Sequence, residues 1–190
     1  MTFWQDTELE PKRSFRFTMS VTGENNAIRE FLIEKVSKPS FSIGEVEAKY
    51  LNHSFFYPGK ITWNDVTFTV IDCLKPSDAN ATVTVMKMLE ASGYDQPSSP
   101  PRGNVTMSKK AALKALGMVK IHQFPGGTPG AAAVKPEETW TLVNAWIKEV
   151  KFGDLEYGNE EMQKIDITLK YDNAYVWTGE SGNLPTGAKS

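Results

Sequence analysis

Cysteine is almost absent from this chain: Cys73 stands alone among 190 residues. One thiol cannot form an internal bridge, which excludes a disulfide-stapled secreted domain and fits folding in a reducing cytoplasm. Histidine is nearly as scarce. His53 and His122 lie far apart, with no Cys or His at ligand spacing beside either. A structural zinc takes four such ligands and a catalytic one three, so no metal is expected. No stretch approaches the ~18 apolar residues of a membrane helix. The segment from Met1 to Arg13 is polar and acidic, without the basic start and apolar run of a secretory signal. The expected location is therefore the cytoplasm, or the outside by a route that no signal directs.

A basic excess is missing too. Lys and Arg number 21 against 23 Asp and Glu, for a net charge of −2. Proteins that grip phosphates usually carry a basic surplus or patch. The densest basic stretch, Lys109, Lys110, Lys114 and Lys120, reads as the solvated face of a helix. Catalytic signatures are equally lacking. Gly126-Gly127-Thr128-Pro129-Gly130 is glycine-rich, but no Lys-Ser/Thr follows and Pro129 removes a donor. No G-x-S-x-G occurs. Cys73 follows Asp72, and a neighbouring carboxylate disfavours the thiolate that a nucleophile needs. Glu137-Glu138 and Glu160-Glu161 sit in polar, turn-like contexts and read as solvated surface rather than a recessed acid–base pair. No enzyme and no cofactor is expected.

What remains is strand. With 40% hydrophobic and 23% charged residues, the chain can bury a core without staples. Phe15, Phe17, Met19 and Val21 alternate with polar residues, which predicts a half-buried strand. Gly23 to Asn26 supplies a turn, and Ala27 to Ser37 is read as a second strand pairing with the first. Lys60 to Asp72 is a strand region. Its apolar parity changes at Asn64-Asp65, so a bulge or bend is expected there. Thr139 to Phe152 fits helix and strand spacing; Trp140, Thr141, Val143 and Ile147 favour strand. Ile165, Ile167, Leu169 and Tyr171 give the cleanest alternation of all.

Helix is expected from Lys75 to Gly93, where Val85, Met88, Leu89 and Ser92 share a face and Gly93 suits the stop. A shorter helix is expected from Ser108, a candidate N-cap, to Leu116, with Gly117 ending it. Residues 94–136, rich in Gly, Pro and Ala at both ends, read as an insertion into one β-domain spanning 1–190. The tail from about 178 reads as mobile unless a partner orders it. The expected class is mainly β, a sandwich or barrel with one packed helix and a loop-rich insertion.

Ala48 to Lys60 concentrates Tyr50, Leu51, Phe55, Phe56 and Tyr57 before Pro58-Gly59. Two readings stand for this loop: its aromatics fold back on the core, or they bury against another subunit, where large rings with few torsions are favoured.

The order of segments carries a family resemblance. Ser14–Val21, Phe31–Phe41 with its bend at Pro39, and Ile61–Val70 before Asp72 resemble successive strands of the tail tube proteins of contractile-tailed, T4-like bacteriophages. Ala145–Val150 with Gly153–Leu155, and Glu160–Asp172, are similar to that family's last strands. The likeness covers about two thirds of the chain. It rests on co-linear order rather than on one motif, and the segment 94–136 departs from it.

The resemblance implies a structural virion protein. Six copies would form a ring whose strands close one continuous inner β-barrel, and rings would stack into a tube through loops such as Ile43–Tyr57. It implies sheath, tape-measure, baseplate and tail-terminator partners, assembly in the host cytoplasm, and DNA passing down the lumen. A near-neutral surface suits a conduit that DNA must traverse without sticking. Asp166, Thr168 and Lys170, the polar face of the last clear strand, line that lumen or else face the sheath. Two other readings remain: the tube of a phage-derived injection or secretion device, and a monomeric β-barrel holding an apolar ligand.

Overall fold

The computed structural model describes residues 11–23, 27–76, 79–94, 106–126, 135–158 and 160–178. Two antiparallel sheets pack face to face, and a two-stranded ribbon leaves them. The first sheet holds five strands in the order β11-β8-β7-β1-β2: Asn173–Thr178, Glu138–Val143, Met118–Gln123, Phe17–Thr22 and Ala27–Ile28. The second holds four in the order β3-β6-β10-β9: Ile33–Val36, Val66–Ile71, Lys164–Lys170 and Trp146–Lys151. The ribbon pairs β4, Phe41–Tyr50, with β5, His53–Trp63.

The pleat turns alternating sequence into a two-sided sheet. On β10, Ile165, Ile167 and Leu169 are fully buried and lie opposite Val70, Phe68 and Val66 of β6. Across the core, Met19 and Val21 of β1 lie opposite Ile121 and Val119 of β7. These inner faces meet and fill the space between the sheets, with Phe68 and Met19 at most 1% exposed. The fold is thus mainly β, as the alternation predicts.

Both helices stand where capping chemistry puts them. Ser108 accepts from the Ala111 amide at 3.1 Å and opens α2, Lys109–Leu116. Gly117 ends it at φ +73°, where a Cβ would lie 1.8 Å from the Thr22 carbonyl oxygen, so only glycine fits. The first helix, α1, is shorter than the expected 75–93. It runs Ala81–Ala91 because Asn80 caps the Val83 amide at 2.8 Å. Asp72 also serves this helix start: its carboxylate accepts from the Ala81 amide at 2.8 Å and the Thr82 hydroxyl at 2.6 Å. Cys73 beside it is half-buried.

Four expectations need correction. The segment 27–37 is not one strand. Only Ala27–Ile28 pairs with β1; a 3-10 turn at Glu30–Leu32 then carries the chain across, and β3 joins the other sheet on β6. Likewise 139–152 is two strands in two sheets, split at Asn144, which takes φ +55°. At Asn64-Asp65 the chain leaves the ribbon and enters the sheet, so the parity change is a bend between elements. Finally, the range 94–136 is no appendage, because β7 lies inside it and is the middle strand of the five-stranded sheet. The tail from Gly179 onward lies outside the described residues.

Candidate functional site: an exposed aromatic arm and a polar sheet face

The ribbon β4–β5 is a strand arm where a loop is expected. Pro58 and Gly59 do not break it; they lie inside β5, where the pairing shifts register. Every residue from Phe41 to Thr62 is exposed. Tyr50 (69%), Leu51 (85%), Phe55 (52%), Phe56 (62%) and Tyr57 (59%) are gathered on its outer part. None folds back on the core. Leu51 sits at the tip turn with φ +50°. Such a surface is unusual for a lone chain: isolated two-stranded ribbons are marginal in water, and contiguous apolar patches generally mark interfaces.

The arm is rigidly rooted. Phe41 meets Trp63 edge-on at 5.3 Å between centroids, and Trp63 meets the buried Tyr171 at 5.9 Å. Just beyond Trp63, Asp65 lies between two cations, 2.6 Å from the Lys148 Nζ and 2.9 Å from the Lys170 Nζ. Hydrogen bonds from Lys148 and then Lys170 hold its carboxyl below the usual carboxylate range, against the upward push of burial.

A second anchor holds the near side. Glu138 on β8 is only 7% exposed, contrary to the solvated reading of Glu137-Glu138. Its carboxylate pairs with Lys12 and, at 2.8 Å, with Lys38, which precedes β4; the Trp140 indole also donates to it. Burial pushes this carboxyl up, but the three donors outweigh it and bring it to about 2. No local pattern marks this hub, because Lys12 and Lys38 lie 126 and 100 residues away.

The other predicted residues lie on the outer face of the four-stranded sheet. Asp166 is exposed and accepts from the Thr69 hydroxyl at 2.6 Å; Thr168 lies beside Thr67 at 3.3 Å. Lys164 pairs with Glu34 at 3.0 Å, and Lys151 lies 3.6 Å from Glu149. Lys170 shares the parity of Asp166 and Thr168 but is turned to Asp65 and the arm root. This face is a field of mutually compensated charges and hydroxyls.

His122 is half-buried and lies 3.0 Å from the Thr139 hydroxyl; burial lowers its pKa. Among the described residues no three His, Cys, Asp or Glu side chains could hold a metal together, and no helix is long and apolar enough to cross a membrane.

No family model and no curated protein matches the sequence. Solved structures do match the shape. A chain of the extended sheath–tube complex of PVC, an extracellular contractile injection system, superposes with a TM-score of 0.60 at 15% identity, covering 94% of this chain and 99% of that one. A chain of the six-fold symmetrised anti-feeding prophage baseplate gives 0.60 at 14%, over 90% and 97%. A chain of the cap that terminates the anti-feeding prophage tube gives 0.59 at 15%, over 93% and 98%. The fold is that of chains from contractile injection particles. It is the fold that the strand order implies through its likeness to tail tube proteins. The match spans nearly the whole length of both chains.

Proposed function

We propose that this chain is a structural, non-enzymatic subunit that assembles with copies of itself into stacked rings forming the inner tube of a contractile particle. One observation carries the reading. The arm exposes aromatic and aliphatic side chains from Phe41 to Ile61 on a chain whose own core is already filled. In this reading Tyr50, Leu51, Phe55, Phe56 and Tyr57 are contact residues between subunits. Ring closure is sixfold, with the four-stranded sheets joining into an inner barrel. That removes the open edges at β3 and β9, which otherwise invite uncontrolled pairing. Asp166, Thr168 and the neighbouring compensated charges line the lumen. Sheath, baseplate, terminator and tape-measure proteins are the partners.

Two versions of the machine share this geometry: a phage tail tube ejecting DNA, and the tube of a phage-derived injection device. That PVC and the anti-feeding prophage supply the similar chains favours the second. Negative-stain electron microscopy of the purified chain over a concentration series is the test. Rings or hollow tubes of uniform diameter are expected. Monomers at every concentration, even with baseplate or tape-measure protein added, would sink the reading.

A further inference from the structure

Away from the arm, one side of the sandwich stays open. Phe17, Ile121 and Trp140 of the first sheet and Ile33 and Val36 of the second line a cleft of about 1010 Å³. At its mouth Phe15 and Phe31 are 73% and 74% exposed. Each of these rings carries a cation. The Arg16 guanidinium lies 5.6 Å from the Phe15 centroid, and that of Arg29 lies 5.7 Å from the Phe31 centroid. Lys35 lines the cleft as well. Two further rim charges are compensated within the fold: Glu34 pairs with Lys164, and Lys38 with Glu138. An apolar space framed by aromatic rings and cations suits an occupant that brings rings and acids.

The chain carries such a segment next to the cleft. Residues 1–10, which precede the described ones, contain Phe3, Trp4 and Leu9. They also contain Asp6, Glu8 and Glu10, and neither Lys nor Arg. Where the described chain starts, Lys12 is moored to Glu138. The same carboxylate accepts from Lys38 and from the Trp140 indole, and both of those residues line the cleft. A turn then leads into β1, with the Arg16 amide donating to the Arg13 carbonyl at 3.3 Å. The segment is therefore tied at the border of the cleft. Ten extended residues reach about 33 Å, enough to span the cleft from that border.

We propose that residues 1–10 occupy the cleft of their own chain, with Phe3 and Trp4 entering between the sheets and the acids lying at the cationic mouth. Aromatic rings bury about 150–250 Å² each, so these two side chains carry most of the contact. The acids answer the field of the whole mouth and not one ion pair, which makes the fit a matter of sign along the segment. The tether selects this occupant over a second copy. A short flexible link holds a segment at an effective concentration in the millimolar range, which a separate chain must exceed to compete. The docking belongs to the single chain and does not depend on the tube reading.

Trp4 reports on this in the full chain. The difference between the fluorescence of the wild type and of Trp4→Phe isolates it from the other tryptophans, and a synthetic peptide of residues 1–10 supplies the solvated reference. In dilute, monomeric protein the Trp4 emission is expected to lie to the blue of the peptide's and to be quenched less by acrylamide, at every concentration tested. Phe31→Ser and Lys35→Glu alter exposed residues of the cleft and should move both readings toward the peptide's. Phe56→Ser on the arm should leave them unchanged. Circular dichroism checks that each variant is folded, and either cleft variant alone suffices. Three results overturn the proposal: emission and quenching equal to the peptide's, protection that appears only as concentration rises (a segment lodged on another copy), or protection that neither cleft variant reduces.

Discussion

On β10, Ile165, Ile167 and Leu169 alternate with polar residues and are fully buried; on β5, Phe55, Tyr57 and Ile61 keep odd spacing and are each more than half exposed. The same signal in sequence ends in opposite environments. Alternation fixes which side of a strand is apolar, not what covers that side. In the four-stranded sheet the cover is the chain's own second sheet. On the arm the described residues of the chain supply no cover. The difference also shows in backbone design: β10 pairs with β6 in unbroken register over six residues, while the arm spends a bulge on redirecting its apolar side.

The sharpest way to break the comparison is to remove a ring from each region. Phe68 is 1% exposed at the centre of the core. Phe68→Ala is expected to cost about 4 kcal/mol through lost transfer energy plus the cavity left behind. Urea denaturation measures it. A loss under about 1 kcal/mol would mean that the two sheets are not packed against one another as described.

The core was legible because strands β1, β6 and β10 carry their burial in their own residues. So were the start and stop of α2, since Ser108 and Gly117 act within one turn of themselves. The arm was half legible: its aromatics stood out, but Pro58-Gly59 suggested a loop, and no local rule distinguishes a strand-borne bulge from a turn. The division of 139–152 between two sheets depends on Asn144 taking a left-handed conformation without glycine, which sequence marks only weakly. β11 carries little contrast in its sequence, because Tyr175 and Trp177 are half-buried on an edge strand. The burial of Glu138 is not legible locally, since its two lysine partners lie 100 and 126 positions away.

Glu138 gives the intermediate effect. Glu138→Gln leaves Lys12 and Lys38 without their carboxylate. Both lysines are about half exposed, so solvent tempers the loss to about 1–2 kcal/mol at neutral pH. The folded carboxyl titrates at about 2, below its ordinary 4.5. Its contribution is therefore complete above pH 4.5 and fades as pH falls toward 2. Wild type and variant should differ most above about pH 4.5 and converge only as pH reaches about 2 in urea titrations. A gap that stays constant across that range would mean that the stabilisation comes from packing rather than from charge. Because Lys38 leads into β4, the variant should also loosen the arm root, which hydrogen exchange at Ser40 and Phe41 would report.

The smallest effect on stability is the most informative about the arm. Phe55 and Phe56 are adjacent, similarly exposed and chemically identical, yet the ribbon sends them to opposite sides: Phe55 joins Val46 and Tyr57 on the apolar side, while Phe56 faces Glu47. Either ring replaced by serine should change monomer stability by no more than about 0.5 kcal/mol, as for ordinary surface positions. Assembly should separate them. Phe55→Ser removes an anchor from the centre of an apolar stripe, where truncation commonly costs about 2 kcal/mol or more of association, and should raise the concentration needed for tubes at least about tenfold. Phe56→Ser should raise it by less than about threefold. Light scattering across a dilution series measures both. Equal effects would mean that both sides of the outer arm are buried in the assembly, and that parity does not choose the contact.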